Sequence, residues 1–535
     1  MKTNLLMLLI VLSSISFSQW TNDYSVNTLV SDVITSDITS IGTSDGKTYV
    51  IFYDDSSGQY VLKAQLLDVN GNKLFGNEGI IVNDTAPMGS FTMNRSENID
   101  AENNLFIVFT DSGSDSANAY LHKISPTGEQ LFSEQGIIVG EQGYSVDVMP
   151  VSDGVFVFWM DKMMKYDNEG IPVWAEPKNL PVLQEGNTVY PAEFVVLNDG
   201  SFILGLHDNF GIVESNIWAQ KFSAEGEPQW DNPIQISDLT SMHNRSNYML
   251  TDGENAYYSY FGVTANDTFE GYLQKINADG TLPWGINGSA VSTNSEFNKM
   301  YNSAVIIGDN VWTASTFTDF VQGPQGLFVQ KFNKNTGERL LGDSAKEIFA
   351  LSIDNPKSLA GHLQAFEDKP LILFRDELDF GNQNKLGVTY LNENGEFVWD
   401  DQFKYLAAFD GSYKYQTYLT NNVSNQSIIV WTEDRSAGSK VYAQNFLLSD
   451  HMSIDDLDGI GEISVYPNPV KDILNISSKK KIKEISVFNI AGQKVLNSIN
   501  VKNGQLNVSS LSSGVYVFQV KMENGKVETF KIIKK

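Results

Sequence analysis

Gln274–Trp284, QKINADGTLPW, decides how this chain is read. An alternating stretch runs into Asn-Ala-Asp-Gly, and a second strand is expected to open on the tryptophan. Gly at the turn supplies the positive φ that a tight hairpin needs. The phrase returns as QKFSAEGEPQW (Gln220–Trp230), MKYDNEGIPVW (Met164–Trp174) and TYLNENGEFVW (Thr389–Trp399). Softer copies are QLLDVNGNKLF (Gln65–Phe75), HKISPTGEQLF (His122–Phe132) and QKFNKNTGERLL (Gln330–Leu341).

The turn glycines, Gly71, Gly128, Gly170, Gly226, Gly280, Gly337 and Gly395, are separated by 57, 42, 56, 54, 57 and 58 residues, a mean of 54. A β-rich repeat of about 40–60 residues points to a propeller with one four-stranded sheet per repeat. Each unit supplies the strands: Ile38–Thr43, Thr48–Tyr53, Tyr60–Leu67 and Lys73–Val82 in the first, with Leu105–Thr110, Ala119–Ile124 and Glu129–Val139 repeating the order. Ile428–Asp434 and Lys440–Leu448 match the second and third strands of a further unit, but no hairpin follows them. Trp20 lies 55 residues before Phe75, in phase with the repeated aromatic. Trp20–Ser31 is therefore expected to complete that last unit, leaving no free sheet edge. Gln19–Asp450 is 432 residues, eight units of 54. The reading is all-β, an eight-bladed β-propeller followed by a small C-terminal β-sandwich. The alternative, seven blades of about 62 residues, strands Trp20 without a sheet.

Composition sets the surroundings. Met1–Ser18 has the pattern of a secretory signal peptide, with Lys2, an apolar Leu5–Leu12, and Ser16 and Ser18 before a cleavage point at Gln19. Its apolar run falls short of the roughly 18 residues of a membrane span. Zero cysteines excludes disulfides, thiolate metal sites and cysteine nucleophiles. Ile463–Lys535 carries 12 Lys against 4 acids, whereas Gln19–Glu462 carries 24 basic against 61 acidic residues, a net −37. So acidic a body lacks the basic face that nucleic acid or an anionic membrane requires. The charge break, with the Ser/Asp/Gly-rich stretch before it, divides the chain into a signal peptide (1–18), a propeller (19–450), a linker (451–462) and a C-terminal module (463–535).

The module reads as short alternating strands: Ile463–Val470, Asp472–Ile476, Ile485–Val495 and Leu511–Val520. Tyr466-Pro467-Asn468-Pro469, the Asn489–Gly492 turn, Leu511, Gly514-Val515-Tyr516 and the basic end resemble the C-terminal sorting domain of type IX secretion cargo in Bacteroidota. The resemblance implies passage through the outer membrane, handling by the type IX machinery and its sortase, and delivery to the cell surface or medium. The sorting residues it marks are Tyr466, Pro467, Asn468, Pro469, Gly492, Leu511, Gly514 and Tyr516.

Motifs for chemistry are sparse. Gly42-Thr43-Ser44-Asp45-Gly46 fits GxSxG, but it falls on a strand–strand turn instead of a strand–helix elbow. The five histidines, His122, His207, His243, His362 and His451, lack metal-site spacing. The hairpin phrase resembles the tryptophan-docking repeats of quinoprotein dehydrogenases, with Trp174, Trp230, Trp284 and Trp399 at the docking positions. The vicinal cysteines of many such enzymes are absent, and the same residues suit packing between blades. Sialidase-type Asp boxes are also absent. Asp84-Thr85-Ala86, Asp115-Ser116-Ala117 and Asp343-Ser344-Ala345 resemble O-glycosylation sites of exported Bacteroidota proteins.

One constellation repeats. Asp54 (with Asp55), Asp111, Asp161, Asp208, Asp319, Asp376 and Asp434 (with Glu433) close the second strand of their units. Either they form an acidic ring able to bind a cation or a basic or sugar ligand, or each caps its own turn. No cofactor is expected, and calcium is the cation that such carboxylates would take. The function expected is a non-catalytic exported propeller that binds a polysaccharide, protein or cation. A glycoside hydrolase or lyase using carboxylates in the funnel is the alternative.

Overall fold

The computed structural model describes residues 20–21, 23–86, 94–111, 117–141, 145–211, 214–242, 248–264, 268–378, 381–435, 438–448, 463–466, 470–478, 481–489, 493–498, 504–522 and 527–535. The expected signal peptide and linker lie outside these residues. The chain divides into two compact units, Met1–Leu448 and Ser449–Lys535. Among the described residues both are all-β, with no α-helix.

In the larger unit antiparallel meanders of four strands follow one another. The first is Thr35–Gly42, Thr48–Asp54, Val61–Leu67 and Ile80–Asn83. Arg95–Ile99, Leu105–Thr110, Asn118–Ile124 and Ile137–Glu141 form the second, and Asp147–Val151, Gly154–Trp159, Lys162–Tyr166 and Lys178–Asn179 the third. Thr188–Val196, Phe202–Asn209, Glu214–Phe222 and Ile234–Met242 make the fourth. The fifth, Tyr248–Thr251, Ala256–Val263, Phe269–Ile276 and Ser289–Ala290, joins it through the single pair Thr240↔Val263. The sixth is Asn298–Ile307, Asn310–Thr318, Gln325–Asn333 and Lys346–Ser352. In the seventh the first strand is split into Lys357–Leu359 and Gln364–Phe366, ahead of Lys369–Leu378, Gln383–Tyr390 and Lys404–Ala407. The eighth takes Lys414–Leu419, Gln426–Asp434 and Ser439–Leu447 from the end of the unit and Thr28–Ser31 from its start. Thr28 pairs with Ala443, Leu29 with Tyr442 and Ser31 with Val441.

The second strands explain the continuous apolar runs LFIVFT and GVFVFW: both of their faces are covered. Tyr49, Ile51 and Tyr53 pack towards the second sheet with Leu105, Ile107 and Phe109. Val50 and Phe52, one residue out of phase, pack towards the eighth with Ile428, Val430 and Val441. Alternation therefore divides a uniformly apolar strand between two inter-sheet cores.

The hairpin phrase differs from its sequence reading in one respect. Asn277 N–H donates to Thr281 O at 3.0 Å and Gly280 N–H to Asn277 O at 2.9 Å, with Gly280 at φ 85°. Yet the fourth strand starts only at Ser289, and Trp284 does not open it. Gln274 on the third strand holds the intervening loop, its Nε2 donating to Gly285 O at 2.8 Å and Ile236 O at 3.1 Å. Gln330 does the same for Gly342 O at 2.7 Å, and Gln65 for Gly76 O at 2.7 Å. The aromatic is thereby released towards the next sheet, where Trp230 covers Gly280 and Trp284 covers Gly337.

The smaller unit holds a three-stranded sheet, built on Ile463–Tyr466, Ile473–Ser478 and Gln505–Asn507, and a four-stranded sheet built on Ile482–Asn489, Lys494–Ser498, Gly514–Met522 and Val527–Lys534. They share one core, with Leu474, Ile476 and Leu506 packed in the same cluster as Ile485, Val487, Phe518, Val520 and Ile532.

Candidate functional site

The acids expected to form a ring stand at the ends of their second strands, and those from Asp54 to Asp376 are held locally. Asp54 accepts Ser56 N–H at 3.0 Å and pairs with Lys63 at 2.8 Å. Burial alone would raise its pKa, but Lys63 and Ser56 outweigh it and hold the carboxyl below its ordinary value. Asp111 accepts Asn118 N–H at 2.8 Å, and Asp319 accepts the N–H groups of Val321 at 3.1 Å and Gly323 at 3.0 Å. Asp161, half exposed, lies 3.4 Å from Lys162 Nζ. Asp208 is buried and accepts Asn187 Nδ2 at 3.0 Å, with its pKa raised by burial. Asp376 is buried against Lys357 Nζ at 2.9 Å and the Tyr405 hydroxyl. Asp434 is exposed, whereas its neighbour Glu433 is wholly buried with Lys414 at 3.0 Å and Arg435 at 2.8 Å. Among the described residues no group of three or more His, Asp or Glu side chains is placed to hold a metal ion.

A different set of residues is brought together. The first strands of neighbouring sheets touch: Thr35–Gly42 meets both Arg95–Ile99 and Lys414–Leu419, and Tyr248–Thr251 meets both Thr188–Val196 and Asn298–Ile307. Four of these strands break register against their partners, between Ser36 and Ile38, Pro191 and Phe194, Met300 and Ser303, and Tyr415 and Tyr418. A β-bulge releases residues from the ladder and re-aims them. Asp37 (φ 44°), Tyr301 (φ 56°) and Gln416 (φ 47°) are such residues, as is Glu193, and His362 lies in the split of the seventh sheet's first strand.

These side chains form a connected series. Gln416 Nε2 donates to Asp37 Oδ1 at 3.3 Å, and Arg95 Nη1 donates to Asp37 Oδ2 at 2.7 Å while its Nε pairs with Glu97. Ser96 donates to Asp147, whose pKa burial pushes up to about 6. Glu193 is pushed up to about 8, first by burial and then by the charge of Asp147. Its side chain is nevertheless exposed. Burial, and then Glu193, raise the Tyr248 pKa, and its ring stacks on His362 with centroids 4.6 Å apart. Burial lowers the His362 pKa, so the imidazole is neutral at pH 7.

Beside this series lies a cavity of about 520 Å³. Its walls include Tyr301, Asn302, His362, Gln416 and Tyr418 from first strands, together with Arg375, Glu377 and Tyr413. Tyr413 Oη donates to Glu377 Oε1 at 2.8 Å, and Arg375 lies over the Tyr413 ring at 5.6 Å. Burial raises the Glu377 pKa against the opposing pull of Tyr413 and Arg375. Asp376, singled out from the sequence, points to the other face of its strand. Its neighbours at 375 and 377 reach the cavity, because successive side chains alternate across a sheet. The bulged residues left no sequence signal, since an extra residue in an inner strand changes neither composition nor repeat length visibly.

The remaining candidates are structural. Ser44 sits on a strand–strand turn with its N–H and hydroxyl both on Asn103 Oδ1. His122 contacts Gln130 at 3.2 Å and Asn83 at 3.3 Å, and His207 contacts Ser215 at 2.8 Å. His243 and His451 lie outside the described residues. Trp399 packs on Tyr390 and Phe446. Of the sorting residues, Tyr466 pairs through its backbone with Asn475, Leu511 N–H donates to Val508 O at 3.0 Å, Gly514 opens a strand, and Tyr516 is buried with its hydroxyl donating to Ser512 O at 2.9 Å. Pro467, Asn468, Pro469 and Gly492 lie outside the described residues.

Residues 464–535 match the family described as the secretion system C-terminal sorting domain. This domain indicates export through type IX secretion to the cell surface or medium. No curated protein matches the sequence. Among solved structures, the polysaccharide lyase Uly1 is similar at 12% identity and a TM-score of 0.42, covering 69% of this chain and 93% of its own. The β-propeller domain of the trilobed protease from Pyrococcus furiosus is similar at 10% identity and a TM-score of 0.37, covering 70% and 98%. The GH93 α-L-arabinofuranosidase of Fusarium graminearum is similar at 9% identity and 0.36, covering 70% and 98%. At such scores these likenesses carry no argument about the chemistry of this chain. Among the described residues no helix is long and apolar enough to cross a membrane.

Proposed function

We propose that residues 19–450 are an eight-bladed β-propeller, exported from a Bacteroidota cell behind a signal peptide (1–18) and joined by a linker (451–462) to the sorting domain (463–535). Its function on this reading is non-catalytic binding of a polysaccharide in the cavity along the propeller axis. The cavity itself carries the reading. Its volume lies in the range of about 300–1,000 Å³ that small-ligand sites occupy, and it combines tyrosine rings with Arg375, Glu377, Asn302 and Gln416. Flat apolar faces beside planar polar groups match a sugar, which offers C–H faces and hydroxyl edges. The acids at the second-strand ends act in this reading as turn caps and ion-pair partners, not as a calcium ring.

Binding of the purified propeller to a glycan array, reduced by Tyr413→Ala, tests the site. Deletion of 463–535 tests export: the truncated protein is expected to remain in the periplasm. A second reading, a carboxylate-dependent hydrolase or lyase, is favoured by the raised Glu193 and Asp147, which would hold protons for general-acid catalysis. Release of reducing ends or unsaturated products from a polysaccharide, abolished by Glu193→Gln, would establish that reading instead.

A further inference from the structure

Arg375 is three-quarters buried, with 22% of its side chain exposed, yet its guanidinium makes no hydrogen bond among the described residues. A guanidinium carries five N–H donors in a fixed fork, and buried polar groups are ordinarily satisfied. Glu377 is its ionic neighbour, with Oε1 3.8 Å from Arg375 Nε, too far for a hydrogen bond. Tyr413 organises both groups, donating to Glu377 and presenting its ring to Arg375. The result is a donor fork and an acceptor oxygen side by side, fixed by a third residue and opening on the cavity.

We infer that Arg375 and Glu377 together recognise neighbouring hydroxyls of an uncharged saccharide, Arg375 donating to their oxygens and Glu377 accepting from one of them. The inference rests on the proposed glycan-binding cavity and adds the class of glycan. Three observations select an uncharged sugar over a uronate or a sulfated one. Within the cavity wall the charges of Arg375 and Glu377 balance, so an anion would sit against the Glu377 carboxylate. Along the neighbouring strands Asp37, Glu97 and Asp147 face only one cation, Arg95, among the groups in that series. The body as a whole is strongly acidic. Each of these opposes a polyanion at close range. A neutral hydroxyl pair uses both members of the Arg375–Glu377 pair without adding charge.

The test is affinity electrophoresis of the full chain through gels containing uncharged polysaccharides (xyloglucan, arabinan, galactomannan, mixed-linkage β-glucan) and acidic ones (polygalacturonate, alginate). Retardation by at least one uncharged polymer is expected, weakened about tenfold or more by Arg375→Gln, the loss that follows removal of hydrogen bonds to a charged group. Should Arg375→Gln lower the melting temperature sharply, Glu377→Gln takes its place, being nearly isosteric and keeping an acceptor oxygen for Tyr413. Tyr301→Asn adds an independent probe of the cavity, because asparagine tolerates the positive φ at this position. Retardation by acidic polymers alone, lost in Arg375→Gln, would overturn the class of glycan while leaving the cavity as the site. Retardation by an uncharged polymer that persists undiminished in Arg375→Gln and Tyr301→Asn would overturn the cavity itself. No retardation by any uncharged polymer would also overturn the inference.

Discussion

Trp20 Nε1 donates to the carbonyl of Val69 at 2.9 Å, and its ring covers Gly71. Trp230 makes the same bond to Ala278 O at 3.0 Å over Gly280, and Trp284 to Asn335 O at 3.3 Å over Gly337. The accepting carbonyl stands two residues before the covered glycine each time. The first tryptophan of the chain therefore repeats, between the first and last sheets, the contact that joins consecutive sheets elsewhere. Trp20→Ala is expected to cost about 2 kcal/mol, below the 3–5 kcal/mol of a fully buried aromatic truncation, because its ring is only partly covered. Removing residues 20–31 also takes Thr28–Ser31 out of the eighth sheet and should cost more than about 3 kcal/mol. Equilibrium denaturation of the three proteins measures this, and unchanged stability on deletion would refute the closing role of the N-terminal strand.

Two glycines separate backbone strain from packing. Gly71 (φ 81°) would place a Cβ 3.0 Å from the Trp20 ring, whereas Gly58 (φ 77°) has nothing within 4 Å of that position. Gly58→Ala is expected to cost only the left-handed conformation, about 1 kcal/mol. Gly71→Ala should add the displacement of the indole and exceed it by about 1 kcal/mol or more. Equal losses in thermal melts would mean that the ring moves aside freely.

How much of this was legible in the sequence depends on whether the signal was local. The Gly71-to-Gly395 series and the preceding Gln65, Gln220, Gln274 and Gln330 mark turn chemistry within a dozen residues, so the repeat and its strands could be read directly. Trp20 could be matched to the last unit because phase survives across the whole chain. Neither route reaches the cavity. Tyr301, His362 and Gln416 at the cavity, and Asp37 and Glu193 beside it, come from five different sheets and enter through register breaks or a split strand that depend on the partner strand. The sequence pattern at 376 pointed one residue away from Arg375 and Glu377, and in a strand one residue is the opposite face.

The acids at the second-strand ends should respond individually. Asp161→Asn loses one exposed ion pair at 3.4 Å and is expected to cost less than about 1 kcal/mol. Asp376→Asn leaves Lys357 without its buried partner, and about 3 kcal/mol is expected. Because the carboxylates from Asp54 to Asp376 already have a local donor or cation, the melting temperature should be the same in calcium and in chelator. A calcium-dependent rise abolished by joint changes at Asp161 and Asp208 would show that they share an ion.

Glu193 supplies a prediction in pH. Its pKa of about 8 lies well above the ordinary carboxylate value, owing to burial and then to Asp147. The folded chain therefore keeps a proton that the unfolded chain releases. For an acid raised in this way stability falls as pH climbs from the ordinary carboxylate range to the folded value, and the loss is complete above it. Glu193→Gln removes the ionisation while keeping the shape. At about pH 5, where the carboxyl is protonated in the fold, wild type and variant should melt within a degree or so of each other. At about pH 9 the variant should melt higher, by roughly 2 °C or more. The comparison is differential scanning calorimetry of both proteins at the two pH values. An equal difference at both would place Glu193 in bulk solvent, with its ionisation uncoupled from folding.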